Sequence, residues 1–264
     1  MIKTAVIPLA GLGTRMLPLT KALPKELWPL GAKSILEVII EECRDAGIKE
    51  FVFVISKKKE IIKNYFKKNI ALERKVKNKP HILKSLKNLE KISKKIKFVY
   101  QNEPKGLGHA VLCAKNYIKS KYFLLVLPDD IIAEKNCTKE MLLINRKKNS
   151  SVIALRKVSK VDVKRYGIVS FENNSSLKIS KMVEKPSISN SPSRHAIIGR
   201  YILDKSIFKI LSKQKSGKLG EIQITDALND MIKQKDFYGC QFKGKYLDCG
   251  TTDGYIKSFI EINK

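Results

Sequence analysis

The chain has 264 residues, 43% of them hydrophobic, which is enough to bury a sizeable core in one large α/β domain. No apolar run reaches the roughly 18 residues that span a bilayer, and the N-terminus lacks a signal peptide's apolar core, which predicts a cytoplasmic protein. Lysine and arginine total 53 against 25 acidic residues, and the net charge of +28 attracts polyanions. The lysines recur among apolar residues at helical spacing, which is typical of solvated helix faces and supports a nucleic-acid partner only weakly.

The first half of the chain alternates between predicted strands and helices. Apolar runs predict strands at residues 4–10, 51–55, 98–100 and 123–127, and apolar periodicity predicts helices from residue 35 to Gly47, over residues 61–72 and over residues 109–117. A strand, a helix and a strand at this spacing are typical of a βαβ unit with parallel strands. The lysine-rich segment 69–96 is interpreted as a helical excursion on the surface.

After Ser150 the pattern changes to shorter elements. Strands are predicted at residues 152–155, 167–171, 179–183 and 239–242, and helices near residues 205–213, 225–233 and 254–262. The sequence has no internal repeat and no linker that divides it into independent domains. One continuous domain is therefore expected.

The first predicted strand runs into a glycine-rich loop, Gly11-Leu12-Gly13-Thr14-Arg15-Met16. Glycines after a buried strand let the backbone approach a ligand, and successive N–H groups form a nest for an anion. The loop differs from the dinucleotide pattern because Met16 replaces its third glycine, and it lacks the Lys-Ser/Thr of a P-loop. A phosphate loop that contains a cation, Arg15, remains, although a tight turn with a surface arginine fits this motif alone equally well.

The segment after the loop favours the phosphate loop over the tight turn. Pro24-Lys25-Glu26-Leu27-Trp28-Pro29 and the glycine-rich loop together resemble the signature of the sugar-1-phosphate nucleotidyltransferases, specifically the bacterial UTP–glucose-1-phosphate uridylyltransferases. The likeness continues in the family's order through Gln101, Lys105-Gly106-Leu107-Gly108-His109-Ala110, Leu127-Pro128-Asp129, Tyr166-Gly167, Val183-Glu184-Lys185-Pro186, Gly199-Arg200-Tyr201, Gly220-Glu221-Ile222-Gln223 and Asp248-Cys249-Gly250. These motifs cover almost the whole chain.

The resemblance implies a single Rossmann-like α/β domain over residues 1–264, with a mixed, mostly parallel central sheet flanked by helices. Its nucleotide-binding part is expected at about residues 1–130 and its sugar-phosphate-binding part at about residues 131–264. The implied reaction transfers UMP from UTP to glucose 1-phosphate by in-line attack, with Mg²⁺ and without a covalent intermediate, giving UDP-glucose and pyrophosphate. The expected partners are these two substrates and one or three further copies of the chain, in a homodimer or homotetramer, with no specific nucleic acid and no membrane.

Site residues follow from the same resemblance. The nucleotide is expected to contact Ala10, Gly11, Gly13, Arg15, Lys25, Gln101 and Gly106, and the catalytic residues are expected to be Arg15, Lys25, Asp129 and Lys185. Fixed cations suit this work because negative charge spreads over the phosphate oxygens in the transition state. Gln101 offers the uracil edge both a donor and an acceptor.

Two carboxylates are assigned to the metal, Asp129 and Asp248. Asp129 follows a predicted strand and so lies at the carboxyl edge of the sheet, where ligands of α/β proteins bind. Mg²⁺ on phosphates typically takes one or two carboxylates. A loop cap is the alternative for a strand-end aspartate, and Asp130 is expected to lie behind the metal ligands or to face solvent.

The sugar phosphate is expected to bind Glu184 and Lys185, because a carboxylate accepts from vicinal hydroxyls and an ammonium pairs with phosphate. Gly167 and Tyr201 would complete this pocket. His109 is rejected as a general base because the phosphate nucleophile is already ionised, and it is expected to cap or pack the following helix. The alternatives are the same reaction with dTTP, CTP or another sugar 1-phosphate, an inactive binding homologue, and a basic nucleic-acid-binding protein.

Overall fold

The first strand of the chain lies inside the central sheet, with a parallel neighbour on each side. The computed structural model describes residues 2–173, 176–215, 217 and 220–264. Within them the strands are β1 (Thr4–Pro8), β2 (Pro29–Leu30), β3 (Lys33–Ser34), β4 (Glu50–Ile55), β5 (Ile96–Tyr100), β6 (Tyr122–Val126), β7 (Asp130–Ala133), β8 (Ser151–Lys157), β9 (Gly167–Phe171), β10 (Ile179–Glu184), β11 (His195–Asp204), β12 (Phe237–Gln241) and β13 (Lys245–Asp248).

The main sheet follows the order β10-β9-β11-β6-β1-β4-β5, and β8 joins it between β11 and β12. Strands β6, β1, β4 and β5 are parallel, whereas β11 runs antiparallel to β6, β8 and β9. A separate antiparallel pair joins β7 to β13. The predicted α/β domain with a mixed central sheet is confirmed.

The helices are α1 (Ile35–Asp45), α2 (Glu60–Phe66), α3 (Ile70–Lys75), α4 (Pro80–Ser93), α5 (Gly106–Cys113), α6 (Cys137–Lys148), α7 (Ile207–Leu211), α8 (Ile224–Ile232) and α9 (Thr252–Ile262). The single helix predicted over residues 61–72 is wrong, because Lys67 is extended and ends α2. Asn69 then caps α3 by accepting a hydrogen bond from the Leu72 N–H at 3.0 Å. Over the described residues, none of the helices combines the length and the apolar character needed to cross a bilayer.

Helices cover the central strands on both faces. Alternate residues of β1 point to opposite sides, so Ala5 and Ile7 pack in the core that contains α1, while Val6 packs in the core that contains α5 and α8. Strands β1 and β4 are consequently apolar along almost their whole length. With both faces covered, a polar ligand has access to these strands only beyond their ends.

Candidate active site

The predicted site residues gather beyond the carboxyl ends of the neighbouring strands β1 and β6. A cavity of about 590 Å³ there is lined by, among others, Arg15, Asp129, Gly167, Glu184, Lys185, Tyr201 and Asp248. In the described part of the chain, the other predicted residues lie outside this cavity, namely Ala10, Gly11, Gly13, Lys25, Gln101 and Gly106. The cavity lining therefore contains both residues assigned to the metal and all four residues predicted to bind the sugar phosphate.

The glycine-rich loop leaves β1 through the buried Ala10 and then becomes exposed at Gly11, beside which a Cβ would meet no atom within 4 Å. Gly13 has a φ of +66° in the left-handed region, where glycine carries no steric penalty. Its carbonyl accepts a hydrogen bond from Thr20 Oγ1 at 2.9 Å, which closes the loop. The next turn carries the exposed Arg15 into the cavity.

Lys25 and Asp129 form a direct ion pair, with Nζ and Oδ2 2.7 Å apart. Burial of the Asp129 carboxyl works against its ionisation, but the Lys25 ammonium outweighs burial and lowers the pKa of Asp129 below its usual value, and Arg15 lowers it further. Asp129 is consequently a carboxylate at neutral pH. Lys25 does not line the cavity, but its ion pair connects it to Asp129, which does.

The turn that carries Lys25 is anchored by a buried ion pair behind it. Lys59 Nζ lies 2.9 Å from both Glu26 carboxylate oxygens, and the two side chains are only 8% and 3% exposed. Trp28 closes the same turn by donating from Nε1 to the Leu23 carbonyl at 3.2 Å, and its ring meets Tyr255 of α9 edge-on. These contacts fix the path of the backbone on both sides of Lys25.

Asp248 ends β13 close to Asp129. A Cβ at Gly250 would lie 2.9 Å from Asp129 Oδ2 and 3.1 Å from Asp248 Oδ1, so the two carboxylates flank one small space. Asp248 Oδ1 accepts from the Gly250 N–H at 2.8 Å, and Oδ2 lies 3.1 Å from Arg165 Nη2. The Cys249 N–H donates to the Asp129 carbonyl at 2.7 Å, which ties the two loops together.

Asp130 directly follows Asp129, is partly exposed and lines the same cavity. Its carboxylate accepts from the Gly199 N–H at 2.9 Å and from the Tyr246 hydroxyl at 2.6 Å. Burial and the neighbouring Asp129 charge raise the pKa of Asp130 to about 6. The carboxylate fits here because residue 199 is glycine, since any Cβ at that position would collide with Asp130 Oδ2.

Of the residues predicted to bind the sugar phosphate, Glu184 ends β10 and Lys185 follows it directly. Glu184 Oε2 accepts from Thr225 Oγ1 at 2.8 Å, and Lys185 Nζ lies 3.5 Å from Glu184 Oε1. Lys185 has a φ of +43°, which is uncommon for a residue with a side chain and often marks a functional site. Its N–H donates to the Tyr166 carbonyl at 3.1 Å, which holds this backbone in place.

Gly167 and Tyr201 complete this part of the cavity. Gly167 lies opposite Glu184 in the β9–β10 register, and a Cβ there would stand 3.2 Å from Glu184 Oε2. Tyr201, on β11, is 6% exposed, and burial together with nearby carboxylates raises its pKa. Its phenol is therefore neutral at physiological pH.

Gln101 and Gly106 lie together at the start of α5. Gln101 Nε2 donates to the Gly106 carbonyl at 3.0 Å and lies 3.1 Å from His109 Nδ1. Gly106 has a φ of +82°, and a Cβ there would stand 3.1 Å from the Ile222 carbonyl oxygen. His109 lies within α5, and its Nδ1 is the hydrogen-bond partner of Gln101 Nε2.

Four residues of this region have partners that sequence reasoning missed, namely Glu26, Lys59, Arg165 and Tyr246. Glu26 lies inside the Pro24–Pro29 motif, Arg165 directly precedes Tyr166, and Tyr246 lies two residues before Asp248. For these three residues, their position in or beside a motif was the available signal, whereas Lys59 lies beside no motif. Their partners are distant in sequence and follow only from the folded chain.

Comparison with known proteins identifies the family of the chain. Residues 4–264 match the family model described as nucleotidyl transferase. The UTP–glucose-1-phosphate uridylyltransferase of Haemophilus ducreyi is 39% identical over 97% of this chain and 91% of its own length, and that of Bacillus subtilis is 38% identical over 98% and 90%. The crystal structure of a UDP-glucose pyrophosphorylase complexed with UDP-glucose has a TM-score of 0.88 and 37% identity, covering 100% of this chain and 99% of that one. The chain belongs to the nucleotidyl transferase family, as its motifs predict.

Proposed function

We propose that this chain transfers UMP from UTP to glucose 1-phosphate, releasing pyrophosphate and forming UDP-glucose. The observation that carries the proposal is the single cavity in which Arg15 and two carboxylates face Glu184 and Lys185. A triphosphate needs cations, and a sugar phosphate needs a cation together with an acceptor for its hydroxyls. The cavity thus suits the sugar phosphate together with the reacting phosphates, while the other residues assigned to the nucleotide lie outside its lining, and the named relatives support the same reaction.

The reaction requires one bond to form and one to break. An oxygen of glucose 1-phosphate attacks the α-phosphorus of UTP, and the bond from that phosphorus to the β-phosphate oxygen breaks, so pyrophosphate leaves. The attacking phosphate has a second pKa of about 6 and is ionised at neutral pH, so no general base is needed. Arg15, Lys25 and Lys185 orient the phosphates and offset their charge.

Asp129 and Asp248 fit a magnesium ion. Their oxygens flank the same space beside Gly250, and Mg²⁺ on phosphates takes one or two carboxylates while water and phosphate oxygens complete its coordination. The described residues contain no larger His, Cys, Asp or Glu cluster that could hold a metal. When bound, the ion would supply positive charge to the phosphate oxygens. Lys25 and Arg165 hold the two carboxylates in position through ion pairs.

The deciding experiment measures pyrophosphate release from UTP, dTTP, CTP, ATP and GTP, each with glucose 1-phosphate and Mg²⁺. We expect release from UTP that depends on the sugar phosphate and stops when EDTA removes the metal. A lack of UTP-dependent release would contradict the proposal, whereas a preference for dTTP or CTP would favour the same chemistry on another base. Substituting other sugar 1-phosphates tests the sugar. The homodimer or homotetramer stays a prediction that sedimentation velocity can check.

A further inference from the structure

The side chain of Gln101 has a fixed orientation before any nucleotide binds. It is 6% exposed, and its amide nitrogen lies 3.0 Å from the Gly106 carbonyl oxygen and 3.1 Å from His109 Nδ1. The backbone of Gln101 is also held, because its N–H donates to the Ile55 carbonyl of β4 at 2.9 Å. Backbone and side chain are therefore both immobilised at this position.

The chemistry of the two partners decides which end of the amide is which. A carbonyl oxygen can only accept, so the group beside Gly106 must be the NH₂ end of Gln101. The same nitrogen then donates its second hydrogen to His109 Nδ1, which must be unprotonated, so the ring proton is on Nε2. Cys113 Sγ, a weak acceptor, lies 4.0 Å from His109 Nε2 and suits this tautomer.

Both hydrogens of the Gln101 amide are therefore occupied. In the described part of the chain its Oε1 accepts no hydrogen bond, and Oε1 is not among the fully enclosed polar atoms that lack a partner. A ligand that reaches Gln101 consequently meets an acceptor and no free donor. An unconstrained glutamine would offer either end of its amide.

We infer that His109 is a positioning residue that makes Gln101 select uracil and thymine against cytosine. The inference rests on the proposed function, in which Gln101 faces the base. Uracil and thymine carry a hydrogen on N3 that can donate to Oε1, whereas N3 of cytosine carries a lone pair, so that two acceptors face each other. The same geometry gives no discrimination between UTP and dTTP, which have identical groups at N3.

The test compares kcat/KM for UTP and CTP in the wild-type enzyme and in His109→Leu. Leucine cannot accept the second N–H, so that hydrogen becomes a free donor that cytosine N3 can accept, while the Gly106 carbonyl still holds the other hydrogen. We expect the UTP:CTP ratio of kcat/KM to fall by roughly tenfold, which is the loss of about one hydrogen bond. The UTP:dTTP ratio should stay unchanged.

Two further variants separate positioning from packing. His109→Asn places an amide oxygen near the position of Nδ1 and should restore the wild-type UTP:CTP ratio, while Cys113→Ala removes the contact on the other side of the ring and should leave the ratio unchanged. Thermal denaturation of each variant reports whether it is folded. An unchanged ratio in a folded His109→Leu variant would overturn the inference, as would failure of His109→Asn to restore it. Absence of UTP turnover in the wild-type enzyme would instead overturn the proposed function.

Discussion

Lys25 and Lys185 are the two lysines expected to neutralise phosphate charge, and the structure holds them in different ways. Lys25 is 14% exposed and forms a 2.7 Å ion pair with Asp129. Lys185 is 53% exposed and lies 3.5 Å from Glu184, its neighbour in sequence. The side chain of Lys25 is fixed by its ion pair, whereas at Lys185 only the backbone is fixed, by a positive φ and by the hydrogen bond to Tyr166.

The difference illustrates two ways of positioning a lysine side chain in a site, one set during folding and one completed only on binding. The turn that carries Lys25 depends on the buried Glu26–Lys59 ion pair, so its geometry is set when the chain folds. Lys185 keeps the rotational freedom of its side chain, so in the proposed function part of the cost of ordering it falls on sugar-phosphate binding. Substitutions on the two sides should therefore change different measured quantities.

Lys25→Met should have the largest effect on activity. It removes a fixed cation that the proposed mechanism uses on the phosphates, and it leaves Asp129 without its partner. We expect kcat to fall on the order of 10³-fold, because a preorganised charge acts mainly on the transition state. Steady-state pyrophosphate release measures this, and a loss below about tenfold would contradict a catalytic role for Lys25.

Lys59→Met should have the next largest effect, and this effect should be on the stability of the fold. An unpaired Glu26 would remain buried, and the free energy of unfolding should fall by about 3 kcal/mol in urea denaturation. The double variant Glu26→Leu/Lys59→Met should recover most of that loss, because neither side chain is then charged. Lys33→Met is the control, since its ion pair with Glu41 is exposed and should contribute less than about 1 kcal/mol. Equal losses for the Lys33 and Lys59 variants would mean that the buried pair has no special role.

Lys185→Ala should have the smallest effect of the three. We expect KM for glucose 1-phosphate to rise roughly 30-fold, the loss of one charge-assisted contact, while KM for UTP and the unfolding free energy stay near the wild-type values. Lys181→Ala is the matched control, because Lys181 is an exposed lysine on β10, the strand that ends just before Lys185, and it lies outside the cavity lining. Equal KM values in wild type and Lys185→Ala would refute the assignment of Lys185 to the sugar phosphate.

The sequence predicts several strands from local apolar pattern, but it misses β11, the ten-residue strand beside β6, and the β7–β13 pair. The strands at residues 4–10, 51–55 and 123–127 match β1, β4 and β6 to within two residues at each end. The family and the mixed sheet are confirmed as well. These features require only apolar periodicity and motif order.

The contacts inside the site could not be predicted in the same way. Arg165 reaches Asp248 and Lys59 reaches Glu26 across long stretches of chain, and no spacing rule pairs such residues. The position of the Asp130 carboxylate depends on Gly199, which lies on β11. The end of α2 before Lys67 was not predicted because the apolar periodicity continues through this position. Asn69 then caps a new helix, α3. The predicted contacts to substrates and metal remain predictions.

The pairing of β13 with β7 has a consequence for how the protein is made. It places Asp248 opposite Asp130 and next to Asp129, although a ribosome adds Asp248 long after Asp129. A nascent chain that has completed the glycine-rich loop, Lys25 and Asp129 still carries only one of the two carboxylates. The pair is complete only once β13 has been translated and has docked, so the metal site proposed on these two carboxylates forms late in synthesis.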